Sequence, residues 1–152
     1  MFNWPGSANM GNDDHNLGRF VQAQAQVYVQ VLNELRTGAK RSHWMWFVFP
    51  QYAGLGRSET AQYYAIRSLD EARAYLAHPL LGMRLRECVT LLLGLEGHTA
   101  EAIFGYPDVL KLQSSLTLFD ALGDDARFAR ALEKYYDGKR DAATRRLLAK
   151  PS

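Results

Sequence analysis

The sequence predicts an all-α fold: a single compact multi-helical domain of about six to eight helices with a short irregular aromatic segment. Three observations predict it. Apolar residues recur at three- and four-residue steps through most of the chain. Capping residues, glycines and prolines fall between those runs, where helices start and stop. Only one run, Trp46-Phe47-Val48-Phe49, reads as a strand, and no second strand-like run exists to pair with it.

The elements follow in order. Met1 to Asn16 is rich in Gly, Asn and Asp without an apolar core, so it reads as a flexible leader (1–16) and not as a signal peptide. Asn16 can cap a helix from about Leu17 to Thr37, stopped by Gly38. Phe20, Val27, Val31 and Leu35 mark its buried stripe, and Gln22, Gln26 and Gln30 its polar row. Ser42 can cap a single turn that Pro50 ends. Gly54 and Gly56 make a turn, and Ser58 caps a short helix through Tyr64. Ser68 with Glu71 forms a capping box opening a helix to about Ala77. Pro79 suits the first position of a helix to about Leu95, which carries Leu81, Leu85, Cys88 and Leu92 on one face. Thr99 opens a short helix to Phe104, and Pro107 starts another to about Leu122 with Val109, Leu112, Leu116 and Phe119 inward. Asp124 or Asp125 begins a helix through Tyr136, and a final amphipathic helix follows Gly138. No repeat or linker divides residues 17–150.

Composition narrows the function classes. The net charge is +2, which argues against a nucleic-acid partner or an acidic membrane surface. The basic C-terminal helix with Lys139, Arg140, Arg145, Arg146 and Lys150 reads as a solvated face. One cysteine, Cys88, cannot form a disulfide within the chain, so a cytoplasmic location is expected. On its greasy face Cys88 reads as a small core residue. No His or Cys pair has metal-ligand spacing, so no metal and no cofactor are expected.

The stretch Lys40 to Gln51 sets two Trp and two Phe beside a Lys, an Arg, a Ser and a His. A wall that is apolar on one side and hydrogen-bonding on the other lines small-molecule pockets. Lys40 and Arg41 beside a turn capped by Ser42 would favour an anion; a capped turn with solvated charges serves equally. Trp44 and Trp46 read as core, or one of them as a stacking surface for a base or sugar ring. His43 is the candidate acid–base residue, since burial and neighbouring cations would keep it neutral. Gln24 falls on the apolar row between Phe20 and Val27, so its amide needs a partner: a loop backbone, the aromatic segment itself, or a ligand. Lys111, Ser114 and Ser115 share a helical face, with Asp108 placed to pair with Lys111. This group reads as small residues packed against a helix, or as a hold for an anionic ligand; a Ser–Lys nucleophile is opposed by Asp108.

From Arg19-Phe20 to Thr117-Leu118-Phe119 the chain resembles a bacterial family of small proteins of unknown function. The matching pieces include Ala23-Gln24, Gly38-Ala39-Lys40, Ser42-His43-Trp44-Met45-Trp46-Phe47, Phe49-Pro50-Gln51, Ser58, His78-Pro79 and Lys111. The resemblance implies a mainly helical fold and no reaction. Members are often labelled calpastatin. Inhibitors of that name are disordered and polar, whereas this chain has 12% aromatic residues and helical periodicity, so the label is rejected.

The reading that results is a pocket for an anionic small molecule of nucleotide or sugar-phosphate type, with hydrolysis as an extension. Its candidate contacts are Arg19, Gln24, Lys40, Ser42, Trp44, Gln51, Ser58, Lys111 and Ser115, with His43 as the catalytic candidate. The alternative is a non-enzymatic interaction module or a homodimer face built on the same aromatics.

Overall fold

Helices start where side-chain oxygens can take the backbone N–H groups that a first turn leaves free. A computed structural model of the chain describes residues 13–150. Here Asp13 performs this service for the first helix, its two carboxylate oxygens accepting from the N–H groups of Leu17 and Gly18 at 2.6 and 3.0 Å. Asn16, the expected cap, holds a left-handed backbone instead (φ 52°). Residues 1–12 of the expected leader lie outside the described residues; its last four lead directly into this helix start.

Residues 13–150 form ten helices, which makes the fold all-α. They are α1 (Gly18–Ala25), α2 (Tyr28–Thr37), α3 (Met45–Val48), α4 (Glu59–Tyr63) and α5 (Leu69–Ala77). Then come α6 (Leu81–Gly94), α7 (Ala100–Phe104), α8 (Asp108–Asp120), α9 (Arg127–Tyr136) and α10 (Ala142–Ala149). The number exceeds the expected six to eight because the long first helix is two and the aromatic segment is itself a helical turn. A tight turn at Gln26 and Val27 separates α1 from α2. The reason is packing: α1 lies on α3, whereas α2 lies on α6, and one straight rod cannot face both.

The strand-like aromatic run is the helical turn α3. Extended pairing does occur just beyond it. Ile66 N–H donates to Gln51 O at 2.9 Å and Ala53 N–H to Ile66 O at 2.8 Å, forming an isolated parallel bridge between Tyr52 and Ile66. This tie brings the segment after α3 against the start of α5.

The expected capping box is half present. Ser68 Oγ accepts from Glu71 N–H at 3.0 Å, but the Glu71 carboxylate turns to Arg67 N–H and to Arg19. The helix expected from Pro79 begins at Leu81, because His78 serves as its cap: Nδ1 accepts from Leu80 and Leu81 N–H at 3.1 and 3.2 Å. Burial holds the His78 ring below its ordinary pKa, which suits an unprotonated accepting nitrogen. Asp141 caps α10 in the same way, accepting from Thr144 N–H at 2.9 Å.

Two helices carry the interior. α6 packs against α2, α5 and α9, and α8 against α3, α5, α7, α9 and α10. Leu81, Leu85, Cys88 and Leu92 of α6 are buried, as are Leu112, Leu116 and Phe119 of α8. Phe20, Tyr75, Phe119 and Phe128 form a chain of aromatic contacts with ring centroids 5.0–5.6 Å apart. Each such ring removed from water contributes about 2 kcal/mol. Gln22, Gln26 and Gln30 face solvent, as their spacing requires.

Gly82 sits where the first turn of α6 meets the end of α5. A Cβ at this position would lie 2.0 Å from the Leu76 carbonyl oxygen, a backbone atom that cannot rotate away. Gly82→Ala should therefore destabilise the fold by roughly 2 kcal/mol or more, lowering Tm by about 5 °C or more. A thermal melt indistinguishable from the parent would refute this contact.

Candidate functional site

The aromatic segment is organised from beneath by a carboxylate. Glu34, on the inner face of α2, is almost fully buried. Its Oε1 accepts from the Arg41 N–H, the Ser42 N–H and the Trp44 indole N–H at 2.8, 3.1 and 2.9 Å. Its Oε2 accepts from the Ser42 hydroxyl at 2.6 Å and the Gln30 amide at 2.7 Å. Burial alone would raise the pKa of this acid. The donors, led by the Ser42 hydroxyl and the Arg41 N–H, overrule burial and bring it down to about 2. The sequence points to an anion beside Lys40, Arg41 and Ser42, and the chain supplies one of its own.

This arrangement corrects three expectations. Ser42 does not cap the aromatic turn; its hydroxyl and N–H are both committed to Glu34, and Trp44 stands at the cap position. Trp44 is no open stacking surface. It is 1% exposed, bonded through its indole N–H, covered by the Lys40 ammonium 4.9 Å from its ring centroid, and edged by Phe49 and Phe104. His43 is exposed, not buried, and stands on the outside of the bend between Ser42 and Trp44.

Two other candidates are committed to the scaffold. Arg19 engages all five of its guanidinium N–H groups: Nε to Tyr63 O, Nη1 to His15 O and Asn16 O, Nη2 to Ala65 O and the Glu71 carboxylate, at 2.7–3.0 Å. No donor remains for a ligand. Gln24 finds its partner in the aromatic segment: Nε2 donates to Phe47 O at 2.7 Å and to the Tyr75 hydroxyl at 3.1 Å, and Oε1 accepts from Arg84 at 3.3 Å. Phe47 O is a carbonyl that the short α3 helix leaves unused, so the amide closes an open helix end.

Three candidates meet in one place. Gln51, Ser58 and Lys111 line a hollow of about 400 Å³ together with Trp46, Arg57, Leu110 and Asp141. Its walls come from α3 and the loop after it, the start of α8, and the start of α10. Trp46 is partly exposed, and the Lys111 ammonium stands 4.8 Å from its ring centroid. Ser58 Oγ accepts from Ala61 N–H at 3.1 Å as the cap of α4, at the rim. Leu110 is 49% exposed and extends the apolar lip. Lys40 lies just behind the hollow. Its ammonium donates to Ser42 O at 2.6 Å and pairs with Asp108 Oδ2 at 2.8 Å, while Lys111 stands 3.6 Å from Asp108 Oδ1.

Ser115 points elsewhere. It is 1% exposed, does not line the hollow, and its hydroxyl has no hydrogen-bond partner among the described residues. Its neighbour Ser114 reaches Leu110 O at 3.1 Å and the Asp141 carboxylate at 3.2 Å, fastening α8 to α10. Burial pushes the Cys88 thiol up to about 12, and it contacts the Tyr28 hydroxyl at 3.9 Å. It is a protonated core residue. No cluster of three His, Cys, Asp or Glu side chains able to hold a metal occurs among the described residues. No helix among them is long and apolar enough to cross a membrane.

Glu34 escaped the sequence reading, although a signal existed. It follows Val31 by three residues and so shares the buried face, the same argument that singled out Gln24. Arg57 and Asp141 had no such signal, because only tertiary packing brings them to the hollow.

These features belong to a protein class already recognised by its sequence pattern. The chain belongs to the family described as a protein of unknown function, DUF1810, which matches residues 14–148. Among solved structures it is similar to a conserved hypothetical protein from Mycobacterium tuberculosis, with 54% identity and a TM-score of 0.90 over 91% of this chain and 100% of that one. Neither match carries a calpastatin label. No curated protein matches the chain.

The Glu34 carboxylate makes a pH-dependent contribution. Its folded pKa of about 2 lies below the ordinary 4.5, so its stabilisation is complete above pH 4.5 and is lost as pH falls toward 2. The contribution at neutral pH is on the order of 3 kcal/mol. Glu34→Gln should be less stable than the parent at pH 7 by that order, and the two denaturation curves should converge between pH 4.5 and 2. A constant gap across that range would show that the charge is not what holds the segment.

Proposed function

We propose that the protein binds an anionic small molecule carrying a flat or sugar-like ring, of nucleotide or sugar-phosphate type, in the hollow lined by Trp46, Arg57 and Lys111. The observation that carries this reading is the pairing of a partly exposed indole with an ammonium above it, in a concavity rimmed by Arg57 and Ser58. With one face of the indole taken by the Lys111 ammonium, the rest of its exposed surface offers apolar contact to a ligand ring, and the cation beside it favours an acidic group on the same ligand. The Gln51 side chain, in the wall of the hollow, adds an orienting amide.

Binding draws more support than hydrolysis. The acid–base candidate, His43, is exposed and does not line the hollow. The Asp141 carboxylate in its wall is taken up by Ser114 and by both the N–H and the hydroxyl of Thr144. The interaction-module reading draws less support from the aromatic segment, since Trp44, Met45, Val48 and Phe49 are all turned inward.

A thermal-shift screen of nucleotides, sugar phosphates and aromatic carboxylates tests the proposal. A ligand at 100 times its Kd should stabilise the protein by about 2.7 kcal/mol, a Tm rise of several degrees. Lys111→Met and Trp46→Leu should each remove most of that rise while leaving a folded protein. Stabilisation that survives both substitutions would place the ligand elsewhere, and no stabilisation by any class would overturn the reading.

A further inference from the structure

Lys40 has no place in the wall of the hollow, yet its geometry bears on the residue that does. The Asp108 carboxylate lies between two ammonium groups, and the two are held differently. Lys40 is 2.8 Å from Oδ2, with its side chain 6% exposed. It is fixed further by Ser42 O and by the face of Trp44, both of which Glu34 holds in place. Lys111 is 3.6 Å from Oδ1, beyond a good hydrogen bond, with its side chain 24% exposed and its ammonium over Trp46. The buried cation therefore has the closer hold on the shared carboxylate, and the open cation is left with a partial counter-ion.

We propose that Lys40 is a positioning residue for the ligand site: by engaging Asp108 it keeps the Lys111 ammonium under-neutralised and available to an incoming acidic group. The inference rests on the binding reading above. Without Lys40, Asp108 would turn wholly to Lys111, two residues already in i, i+3 register on α8. The hollow would then present a closed ion pair, and a ligand's phosphate or carboxylate would have to displace an internal carboxylate to reach the cation. Asp108 is in this sense a built-in competitor, and Lys40 is what restrains it.

The test uses the full chain, Trp fluorescence, and two probes, adenosine 5′-monophosphate and inorganic pyrophosphate, each titrated at low and high salt. Asp108→Asn should tighten both about fivefold, and Lys40→Met should weaken both by about as much. The decisive variant is the double one, Lys40→Met with Asp108→Asn. It should bind like Asp108→Asn alone, a rescue that a structural role for Lys40 would not produce. If Lys40→Met does not fold, Lys40→Gln, which keeps a donor for Ser42 O, takes its place in both the single and the double variant, and a weakening that Asp108→Asn does not rescue overturns the inference. Binding that depends on Lys111 but is unchanged or weakened in Asp108→Asn overturns this inference and leaves the binding reading standing. Absence of binding even in Asp108→Asn, the variant with the most available cation, overturns both.

Discussion

A buried carboxylate needs several donors, and the segment after α2 has them. Once Glu34 is desolvated inside the fold, leaving its charge unmet would cost several kcal/mol, so the chain from Arg41 to Trp44 must bend to bring two backbone N–H groups, a hydroxyl and an indole N–H to it. That bend decides the placement of everything that follows. It turns Trp44 into the core beneath Lys40, starts α3, and thereby leaves Trp46 facing outward. Gln24 then secures the far end of the same short helix through Phe47 O. A four-residue helix has little stability of its own; here both ends are tied to α1 and α2 by buried polar groups.

Two further polar anchors follow the same logic. Arg19 collects the carbonyls of His15, Asn16, Tyr63 and Ala65 and balances its charge on Glu71. Lys134 and Tyr135 of α9 reach the Leu92 and Leu93 carbonyls in the last turn of α6 and the Leu95 carbonyl just beyond it. In each case a long side chain terminates a helix or loop that local sequence does not terminate. The fold is thus a set of short helices joined by specific polar closures around an apolar interior.

This explains which features the sequence discloses. Apolar periodicity reads out the long helices α6 and α8 and their buried faces, because that pattern depends only on which side meets water. Local caps at Ser58, Ser68 and Thr99 are equally legible, since donor and acceptor lie three residues apart. The division of α1 from α2 is not legible, because it depends on two different packing partners. Nor is the fate of the candidate site residues. Gln24 and Trp44 stand out for their place on an apolar row or in an aromatic run, Ser42 as a cap and Arg19 through the family resemblance; the partners of all four are internal. Gln51, Ser58 and Lys111 carry no stronger signal, yet they meet at the hollow with Trp46. Sequence patterning reports that a polar group needs a partner. It does not say whether the partner is the protein's own backbone or something from outside.

The hollow is stitched from three stretches remote along the chain: Trp46 to Ala61, Pro107 to Ser114, and Asp141 to Ala143. No peptide cut from this protein could reproduce it, and no partly assembled intermediate would display it before the last helix docks. The hollow is therefore a property of the finished tertiary structure and of no single segment within it.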